Sequence, residues 1–454
     1  GYGEAARYIS GATTSEGSSN IGLGYAVLRN ITTGSYNVAI GGSAGYSLTT
    51  HTANTLVGYK AGYSVVGNNN VIIGENAAQG ATTMDASTII GRQALGGGAA
   101  TGDYNTAVGY QSGYALGTAA EGNVFFGHRT GYSQTTADYN TMVGYAAGQA
   151  VTDGEANVFI GGHAGYNHTT GDDSTYIGKN AGSGSTTASS NTAVGKDALK
   201  GTQDSTNGGY NVALGVESLL VGTGTRSVSI GYRAGKVENS AGSNVFIGYE
   251  AGAKHTTGTG SVMIGNKAGA DSTSTDSNKL YIHNNEGTPL IGGDFSAKTL
   301  TFNADTVDIV SSDANEPVLT LKNNHAGDSP AQIHFQKEGG SAADDDDIGQ
   351  IIFEGEDSGG ALTTYAHMYA QTDDVTATEE DGSLNFVVMK AGTLTPTMTI
   401  DNSGLVVTGT LSATAKSFNI EHPLNKDKRL VHGSLEGPEH GIYIRGSMDA
   451  SGEC

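Results

Sequence analysis

The stretch NTAVGYQSGY, Asn105–Tyr114, returns as NTMVGYAAGQ from Asn140 and as NVFIGGHAGY from Asn157. Aligned on this phrase, an anchor recurs at Asn20, Asn37, Asn54, Asn70, Ser87, Asn105, Asn123, Asn140, Asn157, Ser174, Asn191, Asn211, Ser227, Asn244 and Ser261, at intervals of 16 to 20 residues and usually 17. Gly stands four residues after all fifteen anchors, and Ala, Ser or Thr seven after all but the first. A period this short means a solenoid, in which each coil buries its apolar side only by stacking on the next.

The residues one and three after the anchor, such as Thr106 and Val108 or Val158 and Ile160, are β-branched or aliphatic at period two. That spacing predicts a short strand, and fifteen such strands at paired-strand separation make a ladder about 70 Å long. The Gly after each strand permits a sharp turn at positive φ, and the small residue three later predicts the close approach of a second short strand. Loops such as SQTTAD and NHTTGDD return the chain, and the anchor Asn is placed to ladder with its neighbours.

Taking the first and third residues as the coil's core sends the second to the opposite face. That second position holds Leu56, Ile72, Ile89, Phe125, Met142, Phe159, Tyr176, Phe246 and Met263. On this assignment the nine are subunit-interface residues, and a homotrimer closed about a fibre axis is the expected assembly.

Composition narrows the function classes. The 454 residues carry a formal charge of −22, 71 Gly and a single cysteine, Cys454. Such a charge disfavours nucleic acid and anionic bilayers. No run of some 18 apolar residues suggests membrane insertion. The start GYGEAARYIS has neither an initiator Met nor a signal pattern and reads as part of something longer.

The six prolines all lie beyond residue 288, and the expected organisation is a lead-in over 1–19, the β-roll shaft over 20–276 and a β connector over 277–316. An antiparallel β-sandwich or barrel over 317–402 follows, from the alternating segments PVLTLKN, AQIHFQK, GQIIFEGED, TYAHMYAQ, GSLNFVVMK and PTMTIDNSG. A distal segment over 403–454 completes an all-β chain.

Several groupings invite a chemical role. Asp344–Asp347 lack the alternation and glycine turn of a Ca²⁺ loop and read as a solvated acidic tip. His432, Glu436, Glu439 and His440 lie among Gly433, Gly437 and Pro438, which deny the helix that a zinc-hydrolase pair needs. No G-x-S-x-G turn occurs. Catalytic, cofactor and metal residues are therefore not assigned, and no enzyme is expected. Tyrosines recur five and nine residues after the anchors, from Tyr25 and Tyr46 onward, and suit a half-buried pleated surface that seals neighbouring coils. The bases Lys416, Lys426, Lys428, Arg429 and Arg445 are interspersed with Glu421, Asp427, Glu436 and Glu439 and read as salt-bridge partners between subunits.

The N-V-A-I-G phrase with its A-G partner, over Asn20 to Gly269, resembles the β-roll head of trimeric autotransporter adhesins. From Gly404 to Gly446, GTLSAT followed by KSFNIEHP and LEGPEHG resembles the distal part of long tail fibres of tailed bacteriophages, especially those of cyanobacteria. Together the resemblances imply a homotrimeric fibre of a virion tail, extracellular, joined to other tail proteins and attaching to a host-surface polysaccharide or protein receptor. The alternative is a bacterial trimeric surface adhesin or extracellular filament subunit.

Overall fold

The computed structural model describes residues 7–9, 17–201, 208–222, 224–237, 242–270, 276–285, 287–310, 319–324, 330–337, 343–376, 378–409, 417–422 and 425–433. They contain strands and turns and no helix. The chain divides into two compact units, Gly1–Ile309 and Val310–Cys454.

In the first unit one strand forms at each anchor, from Asn20–Leu23 through Val158–Ile160 to Val262–Ile264, and each pairs in parallel with the strand of the next coil. The register is strict: Phe159 lies between Met142 and Tyr176, and Ile160 between Val143 and Ile177. This is the parallel β-solenoid that the repeat predicts. Each strand stops at its glycine, where φ lies between 122° at Gly265 and 140° at Gly74, a region that L side chains rarely enter.

The second strand expected in each coil does not form. After the glycine the chain turns, with the residue six after the anchor in the left-handed region, as at Gln111, Arg129 and His163 with φ of 54°, 55° and 60°. A left-handed residue breaks an extended run, so the small residue that follows packs inside a turn.

The anchors run as a buried hydrogen-bonded ladder. The Asn157 backbone N–H donates to Asn140 Oδ1 at 2.9 Å, and the Asn157 side-chain amide donates to the Gly171 carbonyl at 2.9 Å. The ladder fixes the parity of the strand. Because the anchor points inward, so does the residue two after it, and the residues one and three after it point outward. The expected parity is therefore reversed: Leu56, Ile72, Ile89, Phe125, Met142, Phe159, Tyr176, Phe246 and Met263 are all 0% exposed within a single chain.

The interior is filled reciprocally. Where the second position is large, the position eight after the anchor is usually glycine, and a Cβ there would collide with that side chain: at Gly165 it would sit 2.7 Å from the Phe159 ring, and at Gly182 2.5 Å from the Tyr176 ring. Where the second position is Gly22, Ala193 or Ala213, the eighth is a buried leucine, Leu28, Leu199 or Leu219. Where both positions are small, as at Ala39 and Gly45 or Ala107 and Gly113, side chains of the adjacent coils fill the space, Leu28 and Leu56 in the first case and Leu95 and Phe125 in the second, as close packing demands.

At the far end, Lys279–Ile282 adds in parallel to Val262–Ile264, and Ile291–Asp294 and Thr299–Phe302 extend the same sheet antiparallel. The strands of the expected connector thus belong to the solenoid sheet. At the near end Arg7–Ile9 pairs antiparallel with Asn20–Leu23 and covers that edge.

In the second unit Asp347–Glu356, Leu362–Asp374, Asp381–Lys390, Thr393–Asp401 and Gly404–Val407 form one antiparallel meander. Among the described residues it is a single sheet, without the second layer of the expected sandwich or the closure of a barrel. The described parts of PVLTLKN and AQIHFQK, 319–323 and 331–337, form no strand to build a second layer. Ser417–His422 and Asn425–Gly433 pair as a hairpin that carries His432, Lys426, Lys428 and Arg429. The longest interval between anchors, Asn191 to Asn211, predicts a bulged loop near TQDSTNGG, of which residues 202–207 lie outside the described residues, as do Lys416, Glu436, Glu439, His440, Arg445 and Cys454.

Candidate functional site

The nine residues expected at a subunit interface have no surface to offer one. Phe159 stacks on Tyr176 with ring centroids 5.0 Å apart and meets His168 edge-on at 5.1 Å. What each strand turns outward is the pair around them. The residue one after the anchor is Val, Ile or Thr in all fifteen strands, and the residue three after it is aliphatic in every strand but one, where it is Phe126. Ile160, Val194 and Ile230 are each 37% exposed and Phe126 is 55% exposed. Because the register never slips, these side chains form two continuous rows on a narrow face as long as the solenoid. Thirty such residues expose on the order of 1,500 Å², against roughly 800 Å² per partner in a standard interface and a few hundred in the largest apolar patch of an ordinary monomer.

Both edges of the face carry aromatic rings. Immediately before the anchors stand Tyr36, Tyr104, Tyr139 and Tyr210, 61% to 67% exposed. Each has φ between 56° and 63°, which costs a bulky side chain about 1 kcal/mol. Past the glycine, Tyr110, His128 and Tyr145 stack at 5.2 Å and 4.9 Å. A neighbouring column pairs Tyr46 with Tyr63 at 4.8 Å and Tyr114 with Tyr132 at 5.0 Å. Rings in these columns spend their faces on one another across the coils, the sealing role expected of them.

Many polar groups inside the coils are hydrogen-bonded, although Ser112 Oγ, Ser229 Oγ and His255 Nδ1 are buried without a partner. The His168 side chain sits fully buried with Nε2 2.7 Å from the Gly171 carbonyl and Nδ1 3.4 Å from Ser185 Oγ. Tyr176 Oη donates to the same Ser185 at 3.0 Å. Burial lowers the imidazole to about 4 from 6.5, while the Gly171 bond opposes the shift. The folded value lies below the unfolded one, so the unfolded chain binds more protons, and stability present above pH 6.5 is lost as pH falls toward 4. The loss is about 3 kcal/mol. Gln134 occupies the equivalent place in another coil and donates to the Ala137 carbonyl at 2.6 Å. His168→Gln is therefore expected to keep the bond while flattening the pH dependence of thermal melting between 6.5 and 4. An unchanged pH profile would place the titration elsewhere.

The acidic tip is tied down in part. Asp346 pairs with Lys337 at 3.0 Å, which lowers its pKa, and Asp344 Oδ1 accepts the Val375 N–H at 3.0 Å. Among the described residues no three His, Cys, Asp or Glu side chains are grouped to hold a metal ion, and no helix is long and apolar enough to cross a membrane. The chain matches no protein-family model, no curated protein and no solved structure.

Proposed function

We propose that the protein is a structural fibre whose solenoid is the shaft of a homotrimer, with the two outward rows of each chain packed about a common axis. One observation carries the assembly: a face of aliphatic side chains, with threonine at six places in one row, runs the whole solenoid and exceeds what a monomer keeps wet. The meander of the second unit agrees with it, since Ile351, Ile352 and Phe353, consecutive and so on opposite faces of the sheet, are 39% to 57% exposed. The likeness of the Gly404–Gly446 phrase to tail fibres supports a virion tail as the setting and attachment to a host-surface polysaccharide or protein as the task. A bacterial surface adhesin would use the same shaft. Three copies of a weak site on one rod bind by avidity, and no chemical step is assigned to the chain.

The test is sedimentation of Ile160→Lys/Ile177→Lys/Ile230→Lys. Wild type is expected to run as a trimer at micromolar concentration and the variant as a monomer, with melting moved by no more than a few degrees because the interior is untouched. A monomeric wild type, or a variant that stays assembled, overturns the assembly.

A further inference from the structure

The meander of the second unit has two unlike faces. Residues paired across antiparallel strands share a face, so the register sorts the side chains. One row runs through Ile351, Met368, Phe386, Met398 and Val407, apolar from edge to edge. On the opposite face the adjoining row runs through Gln350, Tyr369, Asn385 and Thr399 to Val406. Gln371 pairs with Ser383 on one side of that row, and His367 lies between Ile352 and Val387 on the other.

The polar face is held in one arrangement. Ser383 and Asn385, 9% and 7% exposed, belong to a directed chain of hydrogen bonds. Thr399 Oγ1 donates to Asn385 Oδ1 at 2.8 Å, Asn385 Nδ2 to Ser383 Oγ at 3.1 Å, and Ser383 Oγ to Asp373 Oδ1 at 2.9 Å. Such a chain fixes which way the Asn385 amide points and polarises each member toward the carboxylate. Gln371 Nε2 donates to the Asp345 carbonyl at 2.9 Å. The half-buried Tyr369 ring meets His367 with centroids 5.5 Å apart and planes at 78°. A sheet face that meets water alone usually carries Lys, Glu or Arg, and these rows hold none. Carboxylates surround the face instead, at Asp347, Glu356, Asp357, Asp374 and Asp381, all at strand ends or in turns, and Lys390 is the one Lys or Arg between 347 and 407.

We infer that this face binds a neutral oligosaccharide, with Tyr369 as the platform for a sugar ring and Gln350, Asn385 and Asp373 as partners of its hydroxyls. The inference rests on the attachment proposed above and deepens it by naming the face and the ligand class. Every sugar hydroxyl both donates and accepts, and a side-chain amide offers both in one fixed plane. The C–H face of a pyranose buries its apolar surface on an aromatic ring, which also carries a polar tip. The ring of carboxylates disfavours an anionic glycan or a phosphate. A protein partner wants an apolar centre in its contact, and the continuous apolar row lies on the other side of the sheet. In an assembly that buries that row, the polar face is the one left to solvent. From Gln350 to Thr399 the row crosses four strands, about 14 Å at paired-strand spacing and long enough for a short oligosaccharide. Because the groups stand on strands and are already bonded to one another, little ordering is lost on binding.

The test uses the full chain on an array of immobilised glucan, mannan and galactan oligosaccharides, with oligogalacturonate and heparin fragments as anionic probes. Wild type is expected to hold at least one neutral probe and neither anionic one. Tyr369→Ala is expected to weaken that binding at least tenfold and the exposed Gln350→Ala about threefold, while Tyr369→Phe, which keeps the platform, stays within about threefold of wild type. Melting and sedimentation of all three variants should match wild type, which separates loss of the site from loss of the fold. Neutral binding that survives both alanine variants overturns this face and leaves attachment to polysaccharide standing. Preference for the anionic probes overturns the ligand class. Wild type that holds no glycan overturns the inference and leaves a protein receptor as the attachment reading, while the trimer is judged separately by the sedimentation test above.

Discussion

Phe159→Asp is expected to melt the solenoid around its own coil rather than to separate intact chains. The ring is fully buried, stacked on Tyr176 and seated in the space left by the missing Cβ of Gly165. Its removal costs about 3–5 kcal/mol in lost burial and cavity. A carboxylate left in that apolar layer adds several kcal/mol more, or titrates to the neutral acid at comparable cost. In a solenoid the stability is a chain of nearest-neighbour terms, so the damage should be local: the coils anchored at Asn140, Asn157 and Ser174 lose amide protection first. Hydrogen exchange and limited proteolysis read this directly, with new cleavage expected in the loops 150–156 and 166–173. Ile160→Asp, one residue on and facing out at 37% exposure, should leave melting nearly unchanged. If Phe159→Asp kept its melting temperature while Ile160→Asp lost it, the interior would lie on the other face of the strand.

The contrast between those neighbours marks where sequence reading succeeded and where it failed. Period, strand position and terminating glycine were all legible, because each is a local demand repeated fifteen times with the same residue type. Parity was not. Val158 and Ile160 look more like core than Phe159 does only if the anchor is taken as a surface residue, and a buried Asn ladder is unusual enough in a strand to mislead. The correcting signal lay in the sequence at longer range. Phe125, Phe159, Tyr176 and Phe246 each have glycine six residues later, whereas Ala193 and Ala213 have leucine there. Only two positions sharing one enclosed volume trade size in that way. The lack of strands in the described residues 319–323 and 331–337 was missed for a different reason: their alternation satisfies a strand pattern, yet pairing partners are set by tertiary context.

Gly144→Ala is expected to damage the rod severely although it adds only one methyl group, while Gly162→Ala in the next coil should pass almost unnoticed. Gly144 stands four residues after its anchor with φ of 134°, and a Cβ there would lie 2.7 Å from both the carbonyl carbon and oxygen of Gly161. Neither atom can swing aside, because Gly161 is itself stacked on Gly178 and its N–H is bonded to the Val143 carbonyl at 2.8 Å. An L residue forced into such a region costs roughly 1–3 kcal/mol in the backbone alone. Separating two coils to admit the methyl also stretches hydrogen bonds on both sides, each worth about 1 kcal/mol. A total near 4 kcal/mol or more is therefore expected, comparable with losing a buried large side chain. Gly162 has no positive φ and nothing within 4 Å of its Cβ position, so its alanine variant should stay within about 0.5 kcal/mol of wild type. Thermal melting of the pair decides the matter. Equal melting temperatures would mean that the glycine column four after the anchors is a habit of the repeat and that the coils can part by the width of a methyl group. A large drop confined to Gly144→Ala would mean that backbone contact between glycines sets the coil spacing, and with it the flat outward face on which assembly depends.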